Sequence, residues 1–309
     1  MKIDKIIIYG TGTSAQSYYD EFGKKEKVIF FYETNPSKDF FNSLPVKKFP
    51  DKPIEEYDYL IIASMFYPEI LELVLKNGFP ISKIKIATTH KDDPRFGVLM
   101  IDPNNVSKNL DKYKIFSKEI EKLKSFVDIQ KPKVFSDRFL HLKYCFERSP
   151  KEGMVIEFGV YKGETLKYLT SLSKKPVWGF DSFCGALEGS SWDLRDDRKT
   201  PKKISNYLET YKHLKIGYFH DTLPGWIKEN NKDKISFIHY DAGDYDAAHF
   251  VLKNTLPKMQ KNAIIVFDEF ISSPTELNLN EYKAFIETCM FKYKIISRSS
   301  SSVGIQILN

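Results

Sequence analysis

The sequence predicts an α/β protein made of two units, each a mostly parallel sheet flanked by helices. Three observations carry this. Short continuous apolar runs recur along the chain, each followed by a segment of helical character. That is the pattern of strands buried on both faces of a parallel sheet. Several of these runs end in a carboxylate or a glycine turn, where open α/β sheets place their ligands. Finally, a polar, lysine-rich stretch from about Asp102 to Lys133 separates two such series.

Composition bounds the answer. A chain of 309 residues has room for two domains, and 42% hydrophobic with 15% aromatic content supplies packed cores. The net charge of +6 is scattered over many lysines. Scattered lysine reads as a solvated surface, so nucleic acid is not an expected partner. Cys145, Cys184 and Cys289 lie far apart without metal-ligand spacing, which fits a reducing compartment. No apolar run approaches the roughly 18 residues of a membrane span. The N-terminus runs directly into a strand, which does not read as a signal peptide. A cytoplasmic protein without a membrane span is expected.

The first unit begins with a buried-strand run, Lys5–Tyr9. Gly10-Thr11-Gly12-Thr13-Ser14-Ala15 and a helical segment to Phe22 follow. Val28–Tyr32 is a second strand closed by Glu33. Tyr59–Ala63 is a third, with a helix from Pro68 to Asn77, and Lys83–Ala87 is a fourth. A Gly-x-Gly between a strand and a helix, with an acid ending the next strand, is a context for dinucleotide binding. The unit is therefore read as a small Rossmann-like α/β domain over residues 1–100. It either binds a nucleotide or serves docking and homo-oligomer formation.

Residues 101–136 read as a helical linker, with Ile115, Ile120, Leu123 and Phe126 at helical spacing. The second unit, 137–309, opens with a helix from Asp137 to Arg148. Strands are expected at Val155–Phe158, Val177–Phe180, Ile216–Tyr218, Ile235–Tyr240, Ala263–Phe267 and Tyr293–Ser297. A seventh at Val303–Leu308 is expected as an antiparallel edge.

The chemistry concentrates at the strand tips of this second unit. In Glu157-Phe158-Gly159-Val160-Tyr161-Lys162-Gly163, two glycines flank a turn between a strand and a helix. Glycine lets the backbone approach a ligand where a Cβ would clash. Asp181 ends the next strand, placed to accept from ribose hydroxyls, with Ser182 beside it. Neither Gly-x-Gly-x-x-Gly nor Gly-Lys-Ser/Thr is present in this unit, which favours S-adenosylmethionine (SAM) over a dinucleotide or ATP. Asp221, after the third strand, either reaches the adenine or caps the next helix, as Thr222 also could.

Asp241 ends the fourth strand, and Asp268-Glu269 the fifth. Three carboxylates meeting at neighbouring tips repel unless a cation neutralises them. Oxygen ligands without cysteine favour a hard ion such as Mg2+. Asp241, Asp268 and Glu269 are thus candidate metal ligands, with Asp241 also at the cofactor pocket and a candidate catalytic residue. His141, His239 and Asp244 are candidate general bases. The segment from Cys184 to Lys203, with Trp192, is expected to form a lid or acceptor wall.

These segments, with Phe267-Asp268-Glu269-Phe270 and Glu281-Tyr282-Lys283-Ala284-Phe285, resemble the macrocin O-methyltransferase (TylF/MycF-like) family. The resemblance covers residues 137–309. It implies a class I methyltransferase sheet of seven strands and SAM-dependent, Mg2+-dependent O-methylation of a hydroxyl on a sugar, nucleotide sugar or glycoconjugate. It carries metal-ligand roles to Asp241, Asp268 and Glu269. Two positions differ from the family pattern: Gly243 stands where a second acid is common, and Glu269 where Asp is. Two other readings remain open on the residues. One is a nucleotide-sugar binding or scaffold protein with a degenerate methyltransferase domain. The other is NAD-dependent sugar modification at the first unit.

Overall fold

The computed structural model describes residues 3–49, 56–64, 66–89, 98–184, 205–271 and 279–308. The expected lid segment, Cys184 aside, lies outside them. The chain forms two compact units, and the break between Glu121 and Lys122 falls within one long helix. Among the described residues, no helix is long and apolar enough to cross a membrane.

In the first unit, β1 (Lys5–Tyr9), α1 (Thr13–Phe22), β2 (Lys27–Glu33), β3 (Phe40–Phe41), β4 (Leu44–Lys48), β5 (Tyr59–Ala63), α2 (Tyr67–Lys76), β6 (Ile84–Thr89), β7 (Val98–Ile101), α3 (Pro103–Lys108) and the first part of α4 (Leu110–Ile129) follow in order. The sheet order is β3-β4-β2-β1-β5-β6-β7. The four expected strands form its parallel centre. Ile6 and Ile8 pack with Ala15 and Tyr18 on one face, and Ile7 and Tyr9 with Tyr67 and Leu71 on the other. Both faces are covered, so these strands read as continuous apolar runs. The sequence reading missed β3, β4 and β7. All are short, β4 carries a proline and two lysines, and none shows a buried run. Glu33 does close β2, where its carboxylate accepts from the Thr11 hydroxyl.

The linker helix exists as α4, with its apolar stripe offset from the expected one. Tyr113, Phe116, Ile120, Leu123 and Val127 are buried, while Ile115 and Phe126 are exposed.

The second unit contains β8 (Lys133–Val134), α5 (Arg138–Arg148), β9 (Met154–Phe158), α6 (Glu164–Leu172), β10 (Val177–Asp181), α7 (Asn206–Glu209), β11 (Leu214–Ile216), α8 (Phe219–Glu229), β12 (Ile235–Tyr240), α9 (Tyr245–Thr255), β13 (Met259–Phe267), α10 (Asn280–Thr288), β14 (Tyr293–Ser299) and β15 (Ser302–Ile307). The sheet order is β11-β10-β9-β12-β13-β15-β14-β8. This is an α/β sheet of the expected class, with two corrections. It has an eighth strand, because β8 pairs parallel with β14. The final strand is not an edge either: β15 runs antiparallel between β13 and β14. Its residues are buried on both faces except Gln306. A side chain at Gly304 would collide with Ser297 Oγ and Cys145 Sγ, so the strand fits an interior position.

The strand order reverses between β9 and β12. Both run parallel and end in the same direction. A crevice beyond their carboxyl ends is where such sheets bind ligands.

Candidate functional site

The turn after β9 is built around glycine. Gly159 has φ +85°, and a Cβ there would run into the Asp241 carbonyl oxygen. Asp241 N–H donates to Phe158 O at 2.8 Å, which holds the two strand tips this close. Gly163, φ +83°, is the N-cap of α6, and a Cβ there would press on Leu208. Among the described residues no side chain caps that helix. Tyr161 also has positive φ and is exposed.

Asp181 closes the turn from the neighbouring strand. Its Oδ2 accepts from Val160 N and Tyr161 N, both at 2.7 Å, and its Oδ1 from Phe183 N at 2.7 Å. The expected ribose acceptor is thus first a clamp on the glycine turn. A ribose hydroxyl would share a carboxylate that already accepts three backbone N–H groups. Ser182 Oγ accepts from Cys184 N at 3.2 Å and shapes the same loop.

Neither capping expectation at α8 holds. Gly217, φ +140°, turns the chain, and the helix starts at Phe219 with Tyr218 as N-cap. Asp221 therefore lies inside the first turn. Its side chain is 62% exposed, and Oδ1 is 3.3 Å from His220 Nε2. Thr222 Oγ1 donates to Tyr218 O at 3.0 Å within the helix. The His220 ring stacks on Tyr218 with centroids 5.7 Å apart.

A buried charged cluster lies at the tips of β12 and β13. Glu157 and His239 are a cross-strand pair, with Nδ1 2.9 Å from Oε1. His239 Nε2 is 3.9 Å from Asp268 Oδ1. Burial alone would lower the His239 pKa, but the Asp268 and Glu157 carboxylates outweigh it and raise it to about 9. Burial pushes the Glu157 carboxyl up, and the His239 contact opposes this. Arg138, the first residue of α5, completes the cluster. Its guanidinium is 3.5 Å from Asp241 Oδ2 and 3.9 Å from Asp268 Oδ1. Sequence reading missed Arg138, because it lies more than a hundred residues from either acid and belongs to no local motif.

Of the candidate catalytic residues, three are held by other groups. His141 is buried, with Nε2 2.9 Å from Ser297 Oγ and Nδ1 3.2 Å from Ser302 Oγ. Burial lowers its pKa to about 4, so it is neutral and structural. His239 is buried with its ring nitrogens turned to carboxylates, Nδ1 to Glu157 and Nε2 to Asp268. Asp244 is the N-cap of α9, its Oδ1 accepting from Asp246 N at 2.8 Å and Ala247 N at 3.2 Å. Asp241 is left, with its side chain 22% exposed.

The three-carboxylate metal site is not assembled. Among the described residues, the group whose ligand atoms lie within 4.8 Å of one another is His239, Asp241 and Asp268. Glu269 is outside it. Glu269 N–H donates to Glu281 Oε2 at 2.8 Å, which fixes the turn after β13. A guanidinium already lies beside both remaining acids, 3.5 Å from Asp241 and 3.9 Å from Asp268. The permanent positive charge beside both acids therefore does not fit a bound divalent cation such as Mg2+.

The turn carries no side chain at Gly159 or at Gly163, the N-cap of α6, an arrangement compatible with the carboxylate of SAM at the helix start.

No curated protein matches the chain. Solved structures similar to it include CalS11, a calicheamicin methyltransferase (17% identity, 64% of this chain, 92% of that chain, TM-score 0.46). Others are the O-methyltransferase NovP (20%, 56%, 80%, 0.39) and an O-methyltransferase from Bacillus cereus in complex with SAH (10%, 64%, 91%, 0.34). Residues 156–270, which hold the glycine turn and the charged cluster except Arg138, match the family model Methyltransf_24, described as a methyltransferase domain.

Proposed function

We propose that the second unit transfers a methyl group from SAM to a hydroxyl, and that the acceptor is a sugar, nucleotide sugar or glycoconjugate. One observation carries this reading. The glycine turn of β9 and the Asp241 tip of β12 share the crevice where the strand order reverses, inside the stretch matched to a methyltransferase domain. The sugar acceptor rests on the resemblance to the macrocin O-methyltransferase family.

SAM supplies an electrophilic sulfonium methyl, which bonds to the acceptor oxygen as the S–CH3 bond breaks and S-adenosylhomocysteine (SAH) forms. The chain's own residues orient and hold charge. Asp241 accepts the hydrogen bond of the acceptor hydroxyl, aims its oxygen, and takes its proton. His239 from the same strand and Asp268 from the next fix Asp241's surroundings, so that much of the rate comes from positioning. Mg2+, expected from the sequence, has no part in this reading because the Arg138 guanidinium lies beside both acids that would hold it.

The test is mass spectrometry of the protein incubated with SAM and a panel of nucleotide sugars. The expected result is one acceptor that gains a methyl group with stoichiometric SAH. Failure to bind SAH by calorimetry would end the reading.

A further inference from the structure

We propose that Arg138 is the resident counter-ion of the Asp241–Asp268 pair and stands where the sequence alone suggests a divalent cation, so that the site works without metal. Its catalytic consequence rests on the methyl-transfer reading; its electrostatic content does not.

The two acids are brought together by the sheet. Tyr240 and Phe267 are register partners on adjacent parallel strands, so the next residue of each strand emerges at the same level. Asp268 N–H donates to Tyr240 O at 3.0 Å, which holds the tips in step. Two carboxylates so placed, one largely buried and one partly, need a nearby positive charge. Arg138 provides it from a fixed point. Asp137, the N-cap of α5, accepts from Leu140 N at 2.8 Å, which anchors the helix start. The Arg138 side chain is only 18% exposed and reaches both acids. A guanidinium cannot lose its proton in a protein, so this charge is permanent. On the far side, His239 lies between Asp268 and Glu157.

A divalent cation would have to enter beside that guanidinium or displace it. Glu269, the third acid expected at the site, is not in the converging group of described residues. The same guanidinium offers planar N–H donors at the edge of the crevice, suited to a sugar oxygen that gains negative charge as its proton leaves.

The experiment is calorimetric titration of the full chain with MgCl2 and with MnCl2, in wild type, Arg138→Met and Arg138→Lys, with SAH binding measured on the same samples. Wild type and Arg138→Lys should show no site tighter than about 1 mM. Arg138→Met should gain a site at least about tenfold tighter, because it uncovers the acids. A submillimolar site in wild type overturns the proposal, as does a folded Arg138→Met that gains none. If Arg138→Met does not fold, silence of wild type and Arg138→Lys supports the proposal, and a site in either sinks it. Loss of SAH binding in wild type would instead strike the methyl-transfer reading.

Discussion

Glu157 and His239 face each other across adjacent parallel strands, buried, with His239 Nδ1 2.9 Å from Glu157 Oε1. The contact gives the protein a pH signature. His239 binds its proton more tightly folded than unfolded. Its contribution to stability is therefore present below about pH 6.5 and lost as pH rises through about 9. His141 does the reverse: its folded pKa of about 4 means that stability drains as pH falls from 6.5 towards 4. Urea midpoints from pH 4 to 10 should show the alkaline loss reduced in His239→Gln and the acid loss reduced in His141→Gln. An alkaline limb unchanged by His239→Gln would contradict the pairing.

Asp181 is a clamp before it is a ligand contact. Asp181→Ala leaves three backbone N–H groups without their acceptor. It should destabilise the second unit by at least about 1.5–3 kcal/mol, the worth of a single hydrogen bond to a charged group. Asp181→Asn, which keeps one acceptor oxygen, should lose less. SAH affinity should fall in both. Urea unfolding of Asp181→Ala with a wild-type midpoint would remove the clamp.

The glycines differ sharply in what they tolerate. Gly159→Ala meets both a left-handed backbone and the Asp241 carbonyl, so a loss on the order of 3 kcal/mol or more is expected, with loss of SAH binding. Gly12, the N-cap of α1, has φ −92°, and a Cβ there would meet nothing within 4 Å. Gly12→Ala should cost about 1 kcal/mol or less. Thermal melts of the two variants side by side test this, and equal effects would refute it.

Asp244 should matter to the helix, not to the chemistry. Asp244→Ala should cost about 1 kcal/mol through the lost cap of α9, and Asp244→Asn much less. Turnover at saturating SAM should stay within a few-fold of wild type. A folded Asp244→Ala without activity would return Asp244 to the role of base.

The sequence by itself determined the fold class, the central strands of both sheets and the glycine turn. Those features are local. Ile6–Tyr9 is an unbroken buried apolar run and Ile235–Tyr240 is buried at every position because both faces are covered, and Gly159 and Gly163 are needed where the backbone turns left-handed. It also placed Asp181, Asp241 and Asp268 at strand tips. Only the tertiary structure decided what these acids face. Arg138 reaches Asp241 and Asp268 across a long chain separation, and His239 is held between Glu157 and Asp268 by strand order. The burial of β15 inside the sheet, the diversion of Asp244 to a helix cap and the exclusion of Glu269 from the cluster were equally out of view. The physical reason is the same throughout: strand and turn propensities act over a few residues, whereas the charge on a site depends on every group that folding brings within a few ångströms.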